Sequence, residues 1–190
     1  MATITNSRLC RGAGGAVAAG ALALAIVGLA GSGAQAATPT AHRSCSLDLG
    51  TGTTVCVPAG QDLNAAVLTQ AHLRVVVPGG AVGRTTSAVA AAESVQTVYV
   101  QAQLYSYSNY GGAMFQVTNS SACNGSTVYQ LTDLANYGFD NDTDSFRSFN
   151  NCSTKLWDGA NISGTSYGYY VNSTYVGDAM VNRASSLQIR

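Results

Sequence analysis

Asp140, Asp142 and Asp144 place three carboxylates within one short stretch of the chain. On an extended strand they would share one face, and like charges at that spacing repel unless a cation lies between them. Hard oxygen donors of this kind suit Ca²⁺. The same letters open an EF-hand loop, but Ser145 stands where that loop needs Gly and Asn151 where it needs Glu, so that reading fails. Catalysis finds no comparable cluster. His42 and His72 lie in a region without aromatics, no HExxH occurs, and no His stands near a Ser or Cys in the later half. Asp158 and Asp178 are the carboxylates a glycosidase would recruit, and nothing distinguishes them. The chain is expected to bind rather than to catalyse.

The elements that must position these groups begin with what the composition allows. Across 190 residues, 9 basic and 9 acidic side chains give zero formal net charge. No basic cluster is present to neutralise a run of phosphates, which excludes a nucleic-acid partner. Arg8 and Arg11 precede an uncharged run of Ala, Gly, Leu, Val and Ile over 12–30, and Ala34-Gln35-Ala36 supplies a small-x-small cleavage pattern. Residues 1–36 are therefore read as a secretory signal, with a mature start at Ala37. A membrane anchor is the alternative, but the run is rich in Gly and Ala and ends in the cleavage pattern. No later stretch approaches the ~20 apolar residues of a span. The expected product is secreted, extracellular, free of the membrane once cleaved, and monomeric.

Removing that leader takes Cys10 with it and leaves Cys45, Cys56, Cys123 and Cys152. An even number in an exported chain implies two disulfides, and four cysteines allow three connectivities. A hairpin centred on Gly50-Thr51 would set Cys45 opposite Cys56, which favours that pair and leaves Cys123 with Cys152. The one Trp, ten Tyr and four Phe all lie at or beyond Tyr99, while Pro39, Pro58 and Pro78 all lie before it. This shift divides the chain into a small segment at 37–98 and a second region at 99–190. In the first, Asp62 caps a short helix with Leu63, Ala66, Val67 and Ala71 on one face, and Leu73–Val77 reads as a strand stopped by Pro78. Residues 85–97 read as a helix or a linker.

The second region opens on period-two alternation, Val98, Val100, Ala102 and Leu104 against Tyr99, Gln101, Gln103 and Tyr105, the mark of a half-buried strand. It then shows an internal repeat. Tyr105, Tyr110 and Gly112 have the spacing of Trp157, Ile162 and Gly164; further on, Phe139 to Phe146 aligns with Met180 to Leu187. The interval is shorter in the second copy, and the surplus of the first falls around Cys123. Two copies imply two like units packed together. The six Asn-x-Ser/Thr sites at Asn119, Asn124, Asn141, Asn151, Asn161 and Asn172 read as polar turns, and Tyr107, Tyr167 and Tyr169 as exposed tyrosines.

These motifs resemble the βγ-crystallin superfamily. Tyr105 to Gly112 is similar to its aromatic-x4-aromatic-x-Gly folded hairpin, and residues 140–145 to its (Asn/Asp)-(Asn/Asp)-x-x-(Ser/Thr)-Ser element. Ile162 for an aromatic, Asp144 for Ser/Thr and Val181 for Asn/Asp are departures. The resemblance implies an all-β sandwich of two Greek-key motifs, preceded here by a small disulfide-bonded α+β segment, with the closing serine bonded to each hairpin. It also implies Ca²⁺ shared between the two loops. One site would use Ser185, the Arg183 carbonyl and Asp140. The other would use Asp144 and the Asp142 carbonyl but find no oxygen on Val181. Small exported actinobacterial proteins, the Streptomyces metalloproteinase inhibitor family among them, are the relatives named by this resemblance, which implies inhibition of an extracellular peptidase. A cell-surface or glycan-binding module and a killer-toxin-like protein are the alternatives.

Overall fold

The computed structural model describes residues 42–78 and 95–190. The expected leader, the residues just after it and most of the 85–97 stretch lie outside the described residues. The first strand, β1 (Arg43–Asp48), pairs antiparallel with β2 (Thr54–Pro58), with Cys45 opposite Cys56. These two cysteines are bonded, as are Cys123 and Cys152. Helix α1 (Leu63–Ala71) follows, its first turn held by the Asp62 carboxylate accepting from the Ala65 N–H. A helix this short is marginal by itself, so its stability comes from burying Leu63 and Val67, each side chain worth about 1.5–3 kcal/mol. Strand β3 (Leu73–Val76) completes the segment.

The repeated region supplies two sets of four strands. The first copy contains β4 (Gln96–Tyr107), β5 (Gly111–Asn119), β6 (Tyr129–Leu131) and β7 (Ser145–Ser148). The second contains β8 (Thr154–Gly159), β9 (Ser163–Tyr170), β10 (Asn172–Ser173) and β11 (Ser186–Ile189). One sheet runs β10-β7-β4-β5 and the other β6-β11-β8-β9. Each copy thus sends its third strand into the other copy's sheet. The two sheets are interlocked Greek keys related by an approximate dyad, the arrangement expected of two like units. Phe115, Phe139, Phe146, Leu104, Leu156 and Leu187 fill the space between them, all essentially without exposure.

The hairpins close in the same way in both copies. Ser145 Oγ donates to the Tyr107 carbonyl at 2.6 Å and accepts from the Tyr110 N–H at 3.0 Å. Ser186 Oγ donates to the Gly159 carbonyl at 2.6 Å and accepts from the Ile162 N–H at 3.1 Å. The chain folds back there through left-handed residues, Asn109 and Tyr110 in one copy and Asn161 and Ile162 in the other. Gly112 and Gly164 follow with φ of 80° and 83°. A Cβ at the first would collide with Ser106 Oγ and the Tyr107 ring, and at the second with the Asp158 carboxylate, so both positions require Gly.

The aromatic-free segment joins the first sheet. β1 pairs in parallel with the free edge of β5, and β3 pairs in parallel with β4 over Gln96–Tyr99, just before the stretch of β4 that pairs with β7. The composition shift near residue 98 therefore falls inside a single strand, and residues from both sides of it share one sheet. α1 lies over this sheet's outer face, where Val55, Val57, Leu63, Val67, Leu73 and Val98 form a second core. This corrects the alternation expected for β4. A bulge between Val100 and Ala102 shifts the register, so Val98 packs under the helix while Ala102 and Leu104 face between the sheets. The helix also buries the face that was expected to be half open, and Gln101, Gln103 and Gln116 are all buried.

Candidate paired-loop cation site

The dyad brings together the loops that precede β7 and β11. Asn141 N–H donates to the Ala184 carbonyl at 3.0 Å, and Asn182 N–H donates to the Thr143 carbonyl at 3.3 Å. The aligned copies pair Asn141 with Asn182 and Thr143 with Ala184, so these two bonds are one interaction made twice. Both asparagines are left-handed, with φ of 55° and 52°. Each loop is also tied to its own sheet. Asp144 N–H donates to the Tyr105 carbonyl and Ser185 N–H to the Trp157 carbonyl, both at 2.9 Å.

Within this frame the three aspartates do not converge. The left-handed turn at Asn141 breaks the extended run on which they would share a face, a correction to the expectation from their spacing. Among the described residues no group of three His, Cys, Asp or Glu side chains is placed to hold a metal. Asp140 is exposed and accepts from Asn141 Nδ2 at 2.8 Å. Asp142 Oδ2 lies 3.5 Å from His42 Nδ1. Burial pushes the Asp142 carboxyl upward; His42 opposes this, and the neighbouring Asp144 adds to it. Asp144 keeps Oδ1 buried without a hydrogen-bond partner, as is the hydroxyl of Thr143. Burial raises the Asp144 carboxyl, with the Asn182 N–H acting against the shift.

The remaining expected ligands fall on the partner loop. Ser185 Oγ donates to Asn141 Oδ1 at 3.5 Å, which sets it beside the Asp140–Asn141 pair. The Arg183 guanidinium turns away to Asp158 Oδ2 at 3.1 Å. Val181 packs against the core between the sheets. Two single-carboxylate corners result, one around Asp140 and Ser185, the other around Asp144 and Asn182. A cleft of about 540 Å³ opens beside the first, lined by His42, Arg43 and Tyr137 as well as Asp140 and Asp142.

Sequence reasoning missed His42, because only the parallel pairing of β1 with β5 carries the first segment toward this loop. It read Asn141 as a polar turn and gave Asn182 no role, so the bonds by which the two asparagines join the loops were missed. Their retention at matching positions of both copies was the available signal.

No family model and no curated protein matches the chain. Among solved structures it is similar to a βγ-crystallin domain of Clostridium beijerinckii, with 20% identity over 47% of this chain and 95% of that one and a TM-score of 0.38. A βγ-crystallin domain from Flavobacterium johnsoniae gives 19% identity, 47% and 92% coverage, and 0.36. The N-terminal domain of protein S gives 15%, 47% and 94%, and 0.39. The fold class is a sandwich of two Greek-key motifs, defined by the exchanged third strands and the twin serine-locked hairpins.

Proposed function

We propose that this protein is a secreted, Ca²⁺-binding inhibitor of extracellular peptidases. The observation that carries the inhibitory reading is the loop between β5 and β6. It fills the surplus of the first copy, for β9 and β10 are separated by Val171 alone. Cys123 pins it to Cys152, and the Cys123 N–H donates to the Asn150 carbonyl at 3.1 Å. Asn124 Oδ1 accepts from the N–H groups of Ser126 and Thr127 at 3.0 and 2.9 Å, so the exposed tip holds its own shape. A loop ordered before docking loses little freedom on binding. Two disulfides support an oxidising compartment. Among the described residues, no helix is long and apolar enough to cross a membrane.

The donor chemistry of the paired loops fits Ca²⁺. The resemblance would draw Asp140, Ser185 and the Arg183 carbonyl to one corner and Asp144 with the Asp142 carbonyl to the other, all of them hard oxygens. The buried, unpartnered Oδ1 of Asp144 is the kind of group a cation would satisfy. Bound there, the ion would supply charge compensation and tie one loop to the other. Val181 offers no oxygen, so the Asp144 corner is the weaker.

Inhibition is tested against thermolysin-like and subtilisin-like peptidases, comparing the protein with a Cys123→Ser/Cys152→Ser variant. Dose-dependent slowing by the parent and its loss in the variant are expected. No slowing of either peptidase class at micromolar protein removes the inhibitory reading.

A further inference from the structure

The two sheets of the dyad differ in what covers their outer faces. On the first, Tyr105 OH donates to Gln103 Oε1, Gln103 Nε2 to Gln116 Oε1, and Gln116 Nε2 to Asn64 Oδ1 of α1, at 2.6, 2.8 and 3.1 Å. That face is a docking surface already occupied by the chain's own helix. On the second, the aligned positions hold Trp157 for Tyr105 and Lys155 for Gln103, and no described element lies over them. Trp157 Nε1 and Tyr169 OH both donate to Gln188 Oε1, at 3.3 and 3.0 Å, which fixes both rings and leaves the Gln188 amide N–H groups as donors. Gln130 stands opposite Gln188 in register and is exposed.

Two cations are fixed on this platform. Lys155, the chain's one lysine, holds Nζ 4.3 Å from the Trp157 ring centre, and Arg190 holds its guanidinium 3.8 Å from that of Tyr169. Among the described residues neither is paired with a carboxylate, and Asp158, the acid on the same strand, is engaged by Arg183. The rings orient both cations at little cost in further ordering. A chain of zero net charge thus presents two cationic side chains, two aromatic rings and amide donors on one face.

We infer that the outer face of the β6-β11-β8-β9 sheet binds an acidic polysaccharide. Its carboxylates meet Lys155 and Arg190, held over the Trp157 and Tyr169 rings, and its hydroxyls meet the Gln130 and Gln188 amides. Lys155 and Arg190 lie at the middle of the patch, on the two rings, whereas the centre of a protein interface is depleted of charge, which sets an acidic protein partner aside. This inference is independent of the paired-loop site and of peptidase inhibition.

Trp157 is the single tryptophan, so its emission reports on this face directly. The full protein is titrated with polygalacturonate in the presence of a chelator, which removes Ca²⁺ from both protein and polymer. A saturable change in Trp157 emission is expected, weakening with added salt. The Lys155→Gln/Arg190→Gln variant, changed at one half-buried and one exposed side chain and verified as folded by its melting, should bind at least about tenfold more weakly. Dextran, neutral, and polyglutamate, acidic but without sugars, should each leave the emission unchanged. The inference is overturned by no response to polygalacturonate, by equal binding of dextran or of polyglutamate, or by undiminished binding in the folded double variant.

Discussion

Removing the hydroxyl of Ser145 or of Ser186 tests the duplicated architecture at its most local point. Both serines are fully buried, and each joins one carbonyl and one N–H of its own hairpin. Alanine in either place leaves a donor and an acceptor without their partner, at about 1–3 kcal/mol per group where water cannot reach. The hairpin tips are partly open, since Tyr107 is 58% exposed, so the lower half of that range applies. Each substitution should cost about 2–4 kcal/mol, or roughly 5–15 °C in melting temperature for a domain of this size. Urea and thermal unfolding of Ser145→Ala and Ser186→Ala, beside Ser121→Ala on the exposed loop, measure it. The reasoning predicts two similar losses and an unaffected control. A cost under about 0.5 kcal/mol at both serines would refute the locking role. A large cost at one and none at the other would refute the equivalence of the halves.

The disulfides should separate stability from inhibition. Their sequence separations of 11 and 29 residues correspond to about 2.8 and 3.6 kcal/mol of loop-closure entropy, so the Cys123–Cys152 bridge is the costlier to remove. Denaturant titration of the two double-serine variants checks the order, and only loss of the second bridge should abolish peptidase inhibition. On the proposed Ca²⁺ reading, Asp144 should couple stability to metal. Its folded carboxyl is raised above the ordinary 3.8 by burial, so its favourable contribution is present below that value and is lost as pH rises through the raised one. In chelator, Asp144→Asn should therefore melt higher than the parent at neutral pH, with the gain vanishing below about pH 4. A variant less stable at neutral pH contradicts this. In calorimetry with Ca²⁺, Asp144→Asn should remove the weaker event and Asp140→Ala the stronger.

What the sequence disclosed was what short-range spacing controls. The turn at Gly50-Thr51 sets Cys45 against Cys56, the Asp62 carboxylate starts α1, and the glycines at 112 and 164 mark hairpins because no side chain fits there. Long-range pairing left no such mark. Nothing in residues 43–48 announces that they lie parallel to β5, a strand some seventy positions later in the chain, yet that pairing brings His42 to Asp142. The β4 alternation is correct on each side of Gln101 and wrong across it, because one extra residue in a bulge exchanges the faces of the strand. The aspartate spacing misled for a related reason. Its period holds only for extended backbone, and a single left-handed asparagine ends that extension.

A duplicated frame constrains where function can reside. The bonds that build the two halves are matched to within a few tenths of an ångström, so neither half owes its distinct properties to its backbone. The differences are additions and replacements: a pinned loop in the first copy, Val181 in the second, a helix over one outer face and cations on the other. Damage to the frame, as at Ser145, should weaken every activity together through the folded population. Changes at the loop, the paired corners or the Lys155 face should each alter one activity and leave the others intact. That separation follows from the matched frame, and it would fail if the loops, the corners and the open face worked as a single site.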